Sequence, residues 1–406
     1  MCFVLFDIPK FPKKIYNSVT KTLKGIKKME FSYDNPTAIE FGKGKIKELT
    51  NKISKDKKIL LVYGGGSVKK NGSYDQVVKA LENHTFFEFS GVEPNPSIET
   101  MHKALEIVKK ENVDFILALG GGSVIDGCKY LAAAAKYDGD AWDFLDGSAE
   151  VQDALPLGVV LTLAATGSET NHLTVVSKTE TGEKRMYFSN YSYPQFAIMD
   201  PSFMATLSDR QLGNGLVDAF VHTSEQYITY PTTALVNDGY AETLFRGLVK
   251  LSDTWEDRRT DAWLENLMHI ANQALNFQIG AGVPQDWSTH LIGHELTANY
   301  NLDHARSLAV VQPYLLEVMG EEKKEKIAQL GKNVFGIENN NAAVIEAMEK
   351  VYNKVGVPTK LTAYEIDDKV IENVSNALIK NGYTEIGENG TITLDKVSTI
   401  LTMSMK

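Results

Sequence analysis

From about residue 57 the chain repeats one pattern: a short unbroken apolar run, a glycine cluster, then apolar positions three and four apart. Residues 59–63 (ILLVY) run into Gly64-Gly65-Gly66-Ser67, and the run VDFILALG ends in Gly120-Gly121-Gly122-Ser123. Short apolar runs closed by glycine predict buried strands, and the spacing in SYDQVVKALENH and IETMHKALEIVKKEN predicts helices. HTFFEFSGV, LPLGVVLTLAATGSET and YPQFAIMD each read as a further strand. VVSKTETGEKRMYFSN reads as a β-hairpin around Thr181 and Gly182, and GKIKELTNKI as an amphipathic helix. Residues 31–41 alternate loosely around Asn35 and Pro36, which predicts an opening hairpin. Beyond about Ser208 the period changes to 3.6, with long helical stretches at TTALVNDGYAETLFRGLVKLSDTW and RTDAWLENLMHIANQALNFQIGAG. The expected architecture is an α/β N-terminal domain, Rossmann-like and doubly wound, over residues 29–205. An all-α C-terminal domain follows over residues 206–406.

Composition narrows the classes. A chain of 406 residues with 43% hydrophobic and 23% charged positions suits two globular domains. A net charge of -10 argues against nucleic-acid binding. No run approaches the ~18 apolar residues of a membrane span. Cys2 and Cys128 leave no disulfide framework, as expected in a reducing cytoplasm. Residues 1–28 carry seven lysines against Asp7 and read as a mobile extension, with a basic membrane-surface turn as the alternative.

The glycine turns carry the first chemistry. Glycine lets the backbone turn sharply beside a ligand, and the helix start then offers free N–H groups to a phosphate. Neither turn is GxGxxG, so the usual dinucleotide fingerprint is absent. The turn Gly121-Gly122-Ser123, with Asp126 following, suits a pyrophosphate. At Gly65-Gly66-Ser67 no acid stands ready for a ribose 2′-hydroxyl, and Lys69 and Lys70 come next. That favours NADP(H) over NAD(H), although the two lysines also fit an exposed face.

The second chemistry is a set of metal-type ligands. Asp218 and His222 stand four apart, on one face of a predicted helix. His290, His294 and His304 follow in a chain with eight histidines. Imidazole and carboxylate together accept borderline divalent ions, so Asp218, His222, His290 and His304 are expected to hold one divalent metal, Fe2+ or Zn2+. Glu295 follows His294 instead of lying inside an HExxH, which excludes the zinc-protease reading. Helix packing is the plain alternative for any one of these histidines.

With both halves in view, the chain resembles the iron-containing (group III) alcohol dehydrogenase family. It is most similar to the NADP(H)-dependent aldehyde reductase and butanol dehydrogenase branch. The resemblance runs from about Met29 to the C-terminus. It rests on GGGSVKKNG at 64–72, VEPNP at 92–96, GGGSVID at 120–126, TLAATGSE at 162–169, NGLVDAFVHTSEQY at 214–227, GAGVPQDWSTHLIGHELT at 280–297 and LDHA at 302–305.

The resemblance implies a dehydroquinate-synthase-like two-domain fold with the active site in the cleft. It implies metal ligation by Asp218, His222, His290 and His304, with His294 beside the metal. It also implies pyrophosphate contacts from Gly121, Gly122 and Ser123, and places Asp126 near the nicotinamide. Thr162 and Thr166 would lie around the cofactor, and Lys184 at the nicotinamide ribose. Leu163 stands where many relatives carry a second threonine.

The activity so implied is hydride transfer between NADP(H) and short-chain alcohols or aldehydes. His294 is expected to move the proton as a group titrating near neutrality. A cytoplasmic homodimer joined through the N-terminal hairpin edge is implied as well. The rival readings are a glycerol-type polyol dehydrogenase, a dehydroquinate-synthase-like lyase and a nucleotide-binding protein without catalysis. The lyase would need basic residues that the metal-domain motifs lack, Arg306 excepted.

Overall fold

The computed structural model describes residues 29–406. The expected extension, residues 1–28, lies outside the described residues. Eight strands build the N-terminal half: β1 Ala38–Phe41, β2 Lys58–Gly64, β3 Thr85–Val92, β4 Phe115–Gly120, β5 Leu157–Leu161, β6 Leu173–Lys178, β7 Glu183–Phe188 and β8 Phe196–Met199. Six of them form one sheet in the order β1-β8-β5-β4-β2-β3, parallel throughout.

Alternation within the apolar runs accounts for that sheet. Ile59, Leu61 and Tyr63 of β2 and Phe115, Leu117 and Leu119 of β4 face a layer containing Leu49, Val77 and Leu81. Leu60, Val62, Ile116 and Ala118 face the opposite way, toward the helices Ile98–Glu111 and Gly122–Ala134. Burial on both faces removes the polar positions an exposed strand would show. The hairpin expected around Thr181 and Gly182 is present: β6 and β7 pair antiparallel, with Gly182 at φ 68° in the turn.

The opening hairpin is not. Residues 31–37 are irregular, and β1 alone enters the sheet, parallel to β8. The side chains that would have marked the turn are used elsewhere. Asn35 Nδ2 donates to the Thr170 carbonyl at 2.7 Å, its Oδ1 accepts from Thr37 N at 3.2 Å, and the Tyr33 hydroxyl donates to the Asn276 carbonyl at 3.1 Å. The expected helix GKIKELTNKI is also split, into the 3-10 turn Lys45–Glu48 and the short α-turn Leu49–Lys52.

After Met199 the described chain contains no further strand of the large sheet, and helices take over from Asp209. Helix Asp209–Tyr227 starts on a capping box: Ser208 Oγ accepts from Gln211 N at 3.2 Å while Gln211 Oε1 accepts from Ser208 N at 3.0 Å. Helices Leu235–Asp253 and Asp261–Ala274 follow. The latter stops earlier than its apolar text, because the Ala274 and Leu275 carbonyls are taken by Gln226 Nε2 at 2.7 Å and Asn171 Nδ2 at 3.0 Å.

One close approach joins the two halves. A Cβ at Gly215 would sit 2.3 Å from the Ala164 carbonyl oxygen. Only glycine lets helix Asp209–Tyr227 press against the loop leaving β5. The helix that carries Asp218 and His222 is thereby seated on the segment that carries Thr162 and Thr166.

Candidate active site

The glycine and threonine turns leave the same edge of the sheet, at the C-terminal ends of the adjacent strands β2, β4 and β5. Ligands of open α/β sheets bind at that edge. Gly121 opens the helix Gly122–Ala134, so the first N–H groups of that helix face outward from the turn. A Cβ at Gly122 would lie 2.4 Å from Thr166 Oγ1, and one at Gly121 would lie 3.1 Å from Leu163 Cβ. The structure thus brings Gly121, Gly122, Ser123, Thr162 and Thr166 together, and Leu163 covers the turn with carbon. Thr162 is buried, its N–H bonded to the Gly120 carbonyl at 3.0 Å.

The turn Gly65-Gly66-Ser67 lies one strand away, with Gly66 at φ 99° and no atom near the space a Cβ would fill at either glycine. The Lys69 ammonium rests 4.6 Å from the Tyr74 ring centre and 5.2 Å from that of Tyr63. Glu88 of β3 accepts from both tyrosine hydroxyls at 2.8 Å, so the acid in this neighbourhood is already occupied.

The metal-type residues converge. Asp218, His222, His290 and His304 each offer an atom within 4.8 Å of the others. His222 Nε2 lies 3.7 Å and His304 Nε2 3.6 Å from Asp218 Oδ1, beyond hydrogen-bond range. The rings of His222 and His290 stack at 4.8 Å, and that of His304 stands 5.2 Å from His290. Asp218 Oδ1 and His290 Nε2 are buried with no hydrogen-bond partner. Unpaired polar atoms at such depth are costly. Nitrogen and carboxylate donors converging in this way fit a divalent cation that would take their lone pairs.

Electrostatics agree. Burial holds His290 down to about 3 and His222 and His304 well below their ordinary value, so all three imidazoles are neutral donors. Burial pushes Asp218 up to about 8, an environment that penalises a lone carboxylate and that a cation would relieve.

His294 lies beside this cluster, its ring 6.1 Å from that of His290 and 5.5 Å from that of His304. Its expected titration near neutrality does not hold. Burial, then Lys184 and the neighbouring imidazoles, push it well below the usual range. Lys184, on β7, donates to Asn95 Oδ1 at 2.9 Å, and burial pushes it down to about 8 against the pull of Asp126 and Asp218. Asp126 accepts from Ser168 Oγ at 2.5 Å and Val175 N at 3.3 Å.

Three contributors were not among the site residues expected from the sequence. Glu225 binds His290 from behind, its Oε2 against Nδ1 and its Oε1 accepting the His290 N–H at 3.1 Å. The spacing Asp218, His222, Glu225 (i, i+4, i+7) was the available signal. Asn95 holds Lys184, and its position inside VEPNP was the hint. Lys129 is fully buried in the helix Gly122–Ala134, a lone lysine in the apolar run CKYLAAAA.

A doubly wound sheet with phosphate-type glycine turns, joined to a helical half that gathers three histidines and one aspartate, is the plan of a nucleotide- and metal-dependent oxidoreductase. Comparison with known proteins gives the family. Residues 36–201 match the family described as iron-containing alcohol dehydrogenase, and residues 214–405 match the Fe-containing alcohol dehydrogenase family, C-terminal. The chain belongs to the iron-containing alcohol dehydrogenase family.

It is 44% identical over 380 residues to the NADPH-dependent aldehyde reductase YqhD of Escherichia coli, covering 90% of this chain and 97% of that protein. It is 36% identical over 387 residues to the NADH-dependent butanol dehydrogenase A of Clostridium acetobutylicum, covering 93% and 100%. The crystal structure of E. coli YqhD superposes with a TM-score of 0.90 at 43% identity, over 92% of this chain and 98% of that one. The NADH-dependent butanol dehydrogenase A of Thermotoga maritima superposes at 0.88 with 34% identity, over 93% and 99%.

Proposed function

We propose that the chain is a metal-dependent aldehyde reductase and alcohol dehydrogenase. It transfers hydride between NADP(H) and short-chain aldehydes or alcohols, butanal and butanol among them. The observation that carries the reading is the buried cluster Asp218, His222, His290 and His304, with its unpaired donor atoms, in a chain 44% identical to an NADPH-dependent aldehyde reductase. When bound, a divalent ion supplies Lewis-acid polarisation of the substrate oxygen and NADPH supplies the hydride.

The chain's own residues hold and orient. Gly121, Gly122 and Ser123 receive the pyrophosphate at the helix start, and Thr162 and Thr166 close over it. Asp126 faces the nicotinamide, and Lys184 the adjoining ribose. Asp218, His222, His290 and His304 hold the ion, Fe2+ or Zn2+. His294, kept neutral by its surroundings, gives its N–H proton to the substrate oxygen while its other ring nitrogen takes one from a water molecule, so the ring ends as the other neutral tautomer. A His294→Ala variant with unchanged rate would remove it from that path.

The relatives' names divide between NADPH and NADH. Small donors at Gly65, Gly66 and Ser67, beside the Lys69 and Lys70 cations, support the 2′-phosphorylated cofactor here. We place the division between nucleotide and metal domains near residue 205, and the enzyme in the cytoplasm. Among the described residues no helix is long and apolar enough to cross a membrane. A homodimer through the outer strand β1, whose Ile39 is exposed, completes the proposal. The test is steady-state oxidation of NADPH and of NADH with butanal. The expected result is turnover with a clear preference for NADPH. Equal use of both would contradict the cofactor assignment, and no turnover with butanal would contradict the substrate class.

A further inference from the structure

Lys129 is a lysine with no access to solvent, on the helix that opens at the pyrophosphate turn. Its ammonium has three protons, and the structure provides three acceptors. Nζ donates to Ser168 Oγ at 2.8 Å, Asn171 Oδ1 at 3.0 Å and the Leu173 carbonyl at 2.8 Å. Ser168 and Asn171 lie in the segment between β5 and β6 and Leu173 opens β6, so the ammonium gathers that segment and its exit to one point.

That arrangement gives the network a direction. Ser168 receives a proton from Lys129 and has one of its own to give, and the group left to take it is Asp126 Oδ1, at 2.5 Å. Asp126 Oδ2 accepts the Val175 N–H at 3.3 Å. Both oxygens therefore serve as acceptors, the role of an ionised carboxylate. The same segment reaches the helical domain. Asn171 Nδ2 donates to the Leu275 carbonyl at 3.0 Å, and Asn272 Nδ2 to Glu169 Oε1 and Thr170 Oγ1 at 2.8 Å each.

We propose that Lys129 is a positioning residue for the cofactor site. Acting through Ser168, it keeps the Asp126 carboxylate ionised and aimed, and it pins the β5–β6 segment between the two domains. The proposal rests on the reading of Asp126 as the residue that faces the nicotinamide. Lys129 itself touches no reacting atom.

The charges around this pair support the assignment. Burial pushes Asp126 up, and Lys129 is the largest influence holding it down, followed by Ser168, Val175 N–H and Lys184 from β7. The Cys128 thiol and the Tyr187 hydroxyl also feel Asp126, and burial, with that charge, pushes both up. Lys129 in turn feels Glu169 as well as Asp126, and His172 feels Lys129. Lys129 hydrogen-bonds Ser168, and Ser168 in turn hydrogen-bonds Asp126.

The experiment is fluorescence titration of NADPH binding to the full-length, metal-loaded protein across pH. The proteins compared are wild type, Lys129→Met, Ser168→Ala, Asp126→Asn and the Asp126→Asn/Lys129→Met double variant. The cofactor's own phosphate titrates alike in all of them, so only differences count. The expected result is an acid limb moved up by about 1–3 pH units in Lys129→Met, the size of shift a neighbouring charge produces. Ser168→Ala moves it less, and the double variant matches Asp126→Asn alone.

A folded Lys129→Met protein with the wild-type limb overturns the proposal. So does the same shift persisting without the Asp126 carboxylate. Should Lys129→Met fail to fold, Ser168→Ala decides: it keeps the cation, and an unmoved limb there is equally contrary. Wild type and Asp126→Asn binding NADPH identically would place the failure in the Asp126 reading. Wild type that binds no NADPH would place it in the functional reading as a whole.

Discussion

His290 turns its Nδ1 to the Glu225 carboxylate, and this leaves its Nε2 buried, unpaired and pointed at Asp218, His222 and His304. Glu225 fixes the ring at two points, since it also accepts the His290 N–H at 3.1 Å. A carboxylate behind a histidine orients the ring and sets which nitrogen is the donor. Replacing Glu225 with alanine should lower metal affinity about 10–100-fold, the usual cost of losing such a partner. Metal content after dialysis against a graded chelator measures it, and wild-type retention would show that the geometry alone suffices.

Lys323 stands under the same region. Its ammonium, 2% exposed, meets Asp286 Oδ2 at 2.7 Å and Glu388 Oε1 at 2.9 Å, and donates to the Ile228 carbonyl at 3.0 Å. It ties the end of helix Asp209–Tyr227 to the start of helix Ser288–Tyr300 and to the turn at residues 387–390. Lys323→Met strands two acids in the interior. A loss of about 3–5 kcal/mol is expected, as for other broken buried ion pairs. Urea unfolding is the measurement, and a change under about 1 kcal/mol would contradict it.

The pH dependence of stability carries a signature of Lys129. Burial pushes its ammonium down to about 8 from the ordinary 10.5. Between those values the unfolded chain holds a proton that the folded chain has released, so stability contributed at this site rises with pH. Wild type should therefore gain on Lys129→Met between pH 8 and pH 10, by on the order of 2 kcal/mol. Urea midpoints at the two pH values check this. A constant difference between the two proteins would mean that the lysine titrates at its ordinary value.

Gly122 tests the cofactor turn. Alanine there would put its Cβ 2.4 Å from Thr166 Oγ1 and 2.6 Å from its Cγ2, so the turn or the threonine must move. Overpacking of that kind costs about 1–3 kcal/mol. If the strain is released at the phosphate site, NADPH affinity falls on the order of 10–100-fold. Isothermal titration with NADPH reads it directly, and unchanged affinity would place the phosphate elsewhere.

The centre of the sheet was legible because β2, β4, β5 and β8 are buried on both faces, and an unbroken run such as FILALG, closed by glycine, fits little besides a buried strand. The ligand helix was legible because Asp218 and His222 sit at one helical turn. What the sequence concealed depends on the fold. Asn35 and Pro36 carry turn chemistry, yet Asn35 spends its side chain on Thr170, 135 residues away. Glu225 and Lys129 are charges whose burial shows only when their partners, Ser168 and His290 among them, arrive from other segments. His294 showed the limit of reading chemistry from residue type, since burial and the neighbouring Lys184, His290 and His222 carry it far from an ordinary histidine.

The central claim is that Asp218, His222, His290 and His304 hold one catalytic divalent ion. The direct measurement is NADPH oxidation with butanal by protein stripped with a chelator, then resupplied with Fe2+ or Zn2+, alongside bound metal per chain. The account predicts loss of activity on stripping and recovery at about one ion per chain, with neither metal bound nor activity recovered in His290→Ala. Full activity in the stripped protein, or normal metal uptake by His290→Ala, would contradict it.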